Sequence, residues 1–351
     1  IGLAAPQPAP GDEFGRALAW GDFNADNVPD LAVGAPGAFA GAGRAFVFYG
    51  PLDRTASMGT VAALTLLPAS GTAPAGLGSA LAVADLNADG VDDLAVGAPT
   101  YTAFPDGGLR TGAVQLHFGR SDGGLTANGM QFIDPGIVTL TSGARFGAAL
   151  AATEGTLWVG APEAFGTGAV MVFATNAGTG AATLRMSIRG SASDKGFGAA
   201  LLPMQLDGTG GMDVLVGIPG EGNIAPGQVA AFLANGPNGF DAGARRSGPA
   251  TGDRFGASLV VVEQRMIGIG APGGVNGAAH LGLVQADGAL GTLESHLSLG
   301  ALGTALAASD RDGDNKRELY AGDPVNSLAY AFSPLLPTPL ATLTVPLSSF
   351  G

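Results

Sequence analysis

Asp85, Asn87, Asp89 and Asp93 punctuate the stretch DLNADGVDDLAVGAP that runs from Asp85 to Pro99. Short oxygen-bearing side chains at positions 1, 3 and 5 of a tight turn can converge on one point. The seventh residue, Val91, can add its main-chain carbonyl, and Gly90 permits the φ > 0 bend that brings the oxygens round. Carboxylates gathered in this way repel one another unless a cation sits among them. The donors are hard oxygens with no Cys or His beside them, which suits calcium over zinc or copper. An EF-hand begins the same way. Here, however, position 9 is Asp93, no Glu follows at position 12, and Leu94-Ala95-Val96 favours a strand where a helix would start. The stretch reads as a calcium loop at the tip of a β-hairpin.

The pattern recurs in register. Asp22, Asn24, Asp26 and Asp30 repeat the opening set with the carbonyl of Val28 available, and Asp310, Asp312, Asp314 and Glu318 repeat it with Lys316 at the carbonyl position. Gln205, Asp207, Thr209 and Asp213 form a weaker version with two carboxylates, and ligand charge tunes calcium affinity. Thr153 to Thr156 and Glu263 to Met266 are too short for such a loop and read as tight hairpins. Asp, Asn and Gly also suit bare hairpin tips, but three loops with four oxygen side chains at the same offsets favour the metal. About three calcium ions are expected to tie first strands to second strands, the weaker loop being the candidate for a fourth.

Each hairpin lies inside a larger repeat. A Phe-Gly or Leu-Gly marker opens the repeats at Phe14, Leu77, Phe146, Phe197, Phe255 and Leu302, and a second strand closes with Gly-x-Pro at Gly34, Gly97, Gly160, Gly217, Gly270 and Gly322. A third strand follows, such as RAFVFYG from Arg44. A fourth precedes the next marker: VAALTLL from Val61, IVTL from Ile137, ATLRMSI from Ala182 and LESHLSL from Leu293. The repeats span roughly 12–75, 76–143, 144–194, 195–252, 253–300 and 301–351. A four-stranded antiparallel sheet cannot cover both its faces alone, and a row of such sheets closed into a ring leaves no unpaired end. The expected fold is therefore all-β, a six-bladed β-propeller forming one domain over residues 1–351. For the outer strand of the last blade, LATLTV from Leu340 competes with Ile1 to Ala5, and its better alternation favours the C-terminal segment.

These markers and endings resemble the FG-GAP repeats of the integrin alpha-subunit propeller, which also occur in bacterial surface proteins and fungal lectins. The resemblance spans essentially the whole chain. Integrin propellers have seven repeats, so a seven-bladed ring is the alternative, and the closing Phe350-Gly351 looks like the start of another marker. The resemblance implies an extracellular, secreted or cell-surface setting and a ligand face opposite the calcium hairpins. On that face the loop Thr100 to Thr111 carries Tyr101, Phe104 and Arg110, residue types favoured at binding hot spots, although the two aromatics can equally fold over their own blade. The expected role is an adhesion or protein-interaction module with a protein or glycan ligand. A lectin-like, carbohydrate-binding propeller is the alternative.

Composition sets the bounds. With 46% hydrophobic residues, 60 Gly, 23 Pro and 7% aromatics in 351 residues, the chain suits many short strands joined by turns. A net charge of −13 argues against nucleic acid and anionic membrane as partners. The absence of cysteine excludes disulfides and leaves the compartment open. No apolar run approaches the roughly 18 residues of a membrane helix, so no direct membrane insertion is expected. Ile1 begins without a leader pattern, and any signal peptide is expected to have been removed already. No H-E-x-x-H or P-loop occurs, and His117, His280 and His296 each fall in a predicted strand. Gly119-Arg120-Ser121-Asp122-Gly123 matches G-x-S-x-G, yet it follows a strand and opens no helix, so it reads as a turn and not as a nucleophile elbow. On these grounds the chain is expected not to be an enzyme.

Overall fold

Apolar residues alternating across short runs, each closed by glycine or proline, give strands in the places the repeats require. The computed structural model describes residues 3–4, 9–52, 60–61, 64–67, 74–102, 111–126, 130–133, 140, 142–220, 225–236, 239–274, 277–297, 300–310, 313–326, 328–333 and 339–344. It contains six four-stranded antiparallel sheets in which the strands follow chain order, the blades of a six-bladed β-propeller. The chain divides into two units, Ile1–Arg189 with blades one to three and Gly190–Gly351 with blades four to six. No helix among the described residues is long and apolar enough to cross a membrane.

Blade one consists of Ala17–Gly21, Asp30–Ala35, Arg44–Phe48 and Leu64–Leu66; blade two of Leu81–Ala84, Asp93–Ala98, Ala113–His117 and Met130–Ile133. The second strands Asp30–Ala35, Asp93–Ala98 and Asp213–Ile218 are buried along their whole length. In the first unit one apolar cluster joins blades one and two through Val47, Leu77, Leu94 and Val96, and another joins blades two and three through Leu116, Phe146, Leu157 and Phe173. In the second unit Leu206, Leu215, Phe255 and Ile267 join blades four and five, and Val262, Leu281, Leu302 and Leu319 join five and six.

The markers have a physical reason. In every blade the marker glycine donates its N–H to the carbonyl of the Gly-x-Pro glycine, as from Gly78 to Gly97 and from Gly147 to Gly160, both at 3.0 Å. The marker's own carbonyl then presses on the blade before it. A Cβ on Gly34 would lie 2.0 Å from the Gly78 oxygen, and one on Gly97 2.1 Å from the Gly147 oxygen; Gly217 meets Gly256 and Gly270 meets Gly303 in the same way. The residue preceding the glycine bridges in parallel to the previous blade, Leu77 to Gly43, Phe146 to Gly112 and Phe255 to Gly227.

Two expectations about outer strands have different outcomes. Pro339–Thr344 is the outer strand of blade six, as its alternation predicted, while Leu3–Ala4 pairs in parallel with Thr60–Val61. In blade two the outer strand is Met130–Ile133 and not the run from Ile137, because Met130 is the residue that pairs with His117 once the chain has turned back. Residues 134–139 and the Phe350-Gly351 marker lie outside the described residues. The close glycine contact yields a test. Gly97→Ala should destabilise the protein by about 1–3 kcal/mol through overpacking. Gly123→Ala, whose Cβ would meet nothing within 4 Å, should change stability by less than about 0.5 kcal/mol in the same denaturation experiment.

Candidate metal centre

The acidic hairpins of blades one and two fold alike, because short carboxylates capture the amides two to five residues ahead of them. Asp22 accepts from Asp26 N–H at 3.1 Å and Asn27 N–H at 2.8 Å; Asn24 Oδ1 accepts from Asp26 N–H at 3.1 Å, and Asp26 from Val28 N–H at 2.7 Å. In blade two Asp85 accepts from Asp89 and Gly90, Asn87 from Asp89, and Asp89 from Val91, all between 2.9 and 3.2 Å. The amides of Asn24 and Asn87 donate to Asp26 at 3.0 Å and to Asp89 at 2.9 Å. The three leading side chains of each loop are thus turned to the inside of the bend.

The fourth acid is different. Asp30, Asp93 and Asp213 are fully buried. Each carboxylate accepts one or two N–H groups from its own loop and one from the end of the third strand or just beyond it. The pairs are Phe23 at 2.9 Å and Gly50 at 2.8 Å, Leu86 at 2.8 Å and Gly119 at 2.9 Å, and Leu206 at 2.6 Å and Ala234 at 2.7 Å. Burial raises the pKa of Asp30 above its ordinary value against the pull of its two amides, and the charges of Asp26 and Asp22 push the same way. Burial raises Asp93 to about 6, opposed by the amides of Gly119, Leu86 and Asn87 and reinforced by the charge of Asp89. Glu318 takes this position in blade six and is buried as well.

In that loop Asp310 accepts from Gly313 at 2.7 Å and Asn315 at 2.9 Å, and Asp314 from Lys316 at 2.8 Å; Asp312 lies outside the described residues. The weaker loop of blade four satisfies itself. Gln205 donates to the Gly211 carbonyl at 2.6 Å, and the hydroxyl and amide of Thr209 both bond Asp207, holding its pKa below the ordinary value. Among the described residues no three His, Cys, Asp or Glu side chains form a ready-made metal cage. The short connections of blades three and five are tight hairpins, Thr153 paired with Thr156 and Glu263 with Met266.

Several positions carry more structure than their sequence suggests. Asp92, beside the buried acid, accepts from Asp22 N–H at 2.9 Å, and its own amide donates to the Asp22 carbonyl, so the hairpins of blades one and two are bonded to each other. Arg245 forms a two-pronged ion pair with buried Asp194 at 2.8 and 3.1 Å. Tyr101 is half-buried against the core of blades one and two; Phe104 and Arg110 lie outside the described residues. In the corresponding loop of blade one, Phe39 is 48% exposed, with the Arg44 guanidinium 3.1 Å from its ring centre. The G-x-S-x-G stretch is a turn closed by Gly124 N–H on the Arg120 carbonyl, and the strand residues His117 and His280 are buried.

The FG-GAP repeat model matches residues 14–48 and 77–117, which run from marker to third strand in blades one and two. Two of the six repeats match the FG-GAP repeat. The human phosphatidylinositol-glycan-specific phospholipase D is 37% identical over 125 residues, 33% of this chain and 14% of that protein. The Bos taurus protein of the same name is 39% identical over 134 residues, 34% of this chain and 15% of that protein. The matched segment therefore spans about a seventh of the length of these curated relatives. Among solved structures, the Pseudomonas aeruginosa periplasmic gluconolactonase PpgL superposes with a TM-score of 0.61 at 16% identity, over 93% of this chain and 84% of that one. Saccharomyces cerevisiae Sqt1 gives 0.55 at 12% identity, over 96% and 76%. These two share the fold. The expectation that the chain is not an enzyme is overturned by these findings, since relatives similar over a third of this chain are named as phospholipases D and a protein of the same fold as a gluconolactonase.

Asp93 generates a pH test. Its folded pKa of about 6 lies above the ordinary 3.8, so without metal the folded chain holds this proton more tightly than the unfolded chain does. Its contribution to stability therefore falls as pH rises from about 4 to 6. In chelator, the wild type should lose on the order of 1–3 kcal/mol across that window that Asp93→Asn does not lose, measured by urea unfolding. Superimposable pH profiles would contradict the assignment.

Proposed function

We propose that this chain is a calcium-stabilised FG-GAP propeller that works outside the cytoplasm as an adhesion or protein-interaction module. The observation that carries the metal reading is the inward-turned set of hard oxygens in the hairpins of blades one and two. Each oxygen that accepts one amide keeps a second lone pair for an ion. Asp22, Asn24, Asp26 and the Val28 carbonyl would hold one calcium above Asp30. Asp85, Asn87, Asp89 and the Val91 carbonyl would hold another above Asp93, and Asp310, Asp312, Asp314 and Glu318 a third. The ion would supply charge neutralisation and a cross-link between first and second strands. The two-carboxylate loop of blade four is the weakest candidate, because its polar groups already bond one another.

The loops between second and third strands form the proposed ligand face, and Phe39 is the aromatic best exposed there among the described residues. A carbohydrate ligand is the second reading, favoured by relatives whose name specifies phosphatidylinositol-glycan. Relatives named as phosphatidylinositol-glycan-specific phospholipase D also make lipid hydrolysis an assay to run beside binding. Asp89→Ala should lower the melting midpoint in millimolar calcium and leave it nearly unchanged in chelator; a site filled at 100 times its Kd adds roughly 2.7 kcal/mol. An equal loss under both conditions would reject a structural ion at that loop. On a glycan array, saturable binding abolished by Phe39→Ala would establish the second reading, and array-wide absence of binding would reject it.

A further inference from the structure

The acidic hairpin is missing from blade five, and the Glu263–Met266 turn that replaces it leaves a notch beside the longer loop of blade six. In blade three, whose hairpin is equally short, the turn 176–181 leans on blade two: Gly178 N–H bonds the Asn87 carbonyl and Gly180 sits directly against the Phe118 ring. The matching turn of blade five also leans on the preceding blade, its Asp287 carbonyl accepting from Ala244 of blade four at 3.0 Å, and so leaves the side facing blade six uncovered. The notch stays open as a cavity of about 500 Å³.

Its walls are of two kinds. Val262 and Met266 give an apolar floor, and Leu283 at the edge is 57% exposed. Arg265 and Arg317 line the same cavity, and neither forms an ion pair among the described residues. Arg265 is steadied by donating to the Leu206 carbonyl, and the carboxylate of Glu263 is engaged by Arg317 N–H at 3.2 Å. A second hollow of about 400 Å³ starts at the same Met266 and Leu283 and continues past Leu281 and Thr292.

Two guanidiniums without an ion pair among the described residues line one cavity, where the lone carboxylate, Glu263, accepts from the Arg317 main-chain amide. In a chain of net charge −13 they call for an anion with enough oxygens to meet two forks. Phosphate has them, whereas a carboxylate has only two. The apolar floor calls for hydrocarbon, each buried methylene contributing about 0.8 kcal/mol. We propose that this notch binds a single-chain, phosphate-headed amphiphile. The phosphate sits between Arg265 and Arg317, and the chain crosses Met266 and Leu283 into the second hollow.

The test is calorimetric titration of the intact chain with dodecyl phosphate below its micelle concentration, beside inorganic phosphate, dodecanoate and dodecyl maltoside. Saturable binding of dodecyl phosphate at least tenfold tighter than of the other three is expected. Arg317→Gln and Leu283→Ser, both at exposed side chains, should each weaken it about tenfold while leaving the melting midpoint in place. Absence of saturable binding, equal affinity for any comparison compound, or wild-type affinity in both variants would overturn the proposal.

Discussion

A carboxylate buried without partners costs several kcal/mol, and each acidic hairpin of this protein is built around one that has them. Asp30, Asp93 and Asp213 sit at the base of the loop with one oxygen on the loop's own backbone and the other on the end of the third strand. The bond to the loop fixes its entry and so decides where the next oxygens point. The bond to the third strand ties the hairpin to its sheet. Replacing the acid by an apolar residue would strand two amides, so blades that lack it, three and five, abandon the loop altogether for a tight turn.

The second constraint is glycine against glycine. Because the marker carbonyl of one blade lies about 2 Å from where a Cβ of the previous blade would stand, only glycine permits the approach, and a backbone bond rather than a side chain sets the spacing between neighbours. Loops can then vary from blade to blade without disturbing the stacking. The notch of blade five and the ion-paired Asp194 of blade four are two results of that freedom.

That division explains what could be read from the chain. Markers and Gly-x-Pro endings are backbone requirements, so they survive as a pattern, and the six sheets, the tight hairpins at Thr153 and Glu263 and the outer strand at Pro339 follow from them. The outer strand of blade two was misplaced because Ile137 to Leu140 and Met130 to Ile133 are both apolar, and only pairing with His117 separates them. The long-range partners Asp92 with Asp22 and Asp194 with Arg245 depend on how neighbouring elements pack, which local spacing does not encode. The similarity to proteins named as enzymes was invisible for a related reason. It shows in whole-segment similarity to named proteins, while a search for familiar catalytic motifs inspects only short windows.

In the proposed reading the charge of the chain and its architecture meet at the hairpins of blades one, two and six, where a buried acid below and carboxylate oxygens above would receive a divalent ion. Equilibrium dialysis against calcium followed by elemental analysis tests that claim most directly. The account predicts about three calcium ions per chain at millimolar calcium, with one ion lost from each of Asp26→Ala and Asp89→Ala; a chain that retains no calcium under those conditions would contradict it.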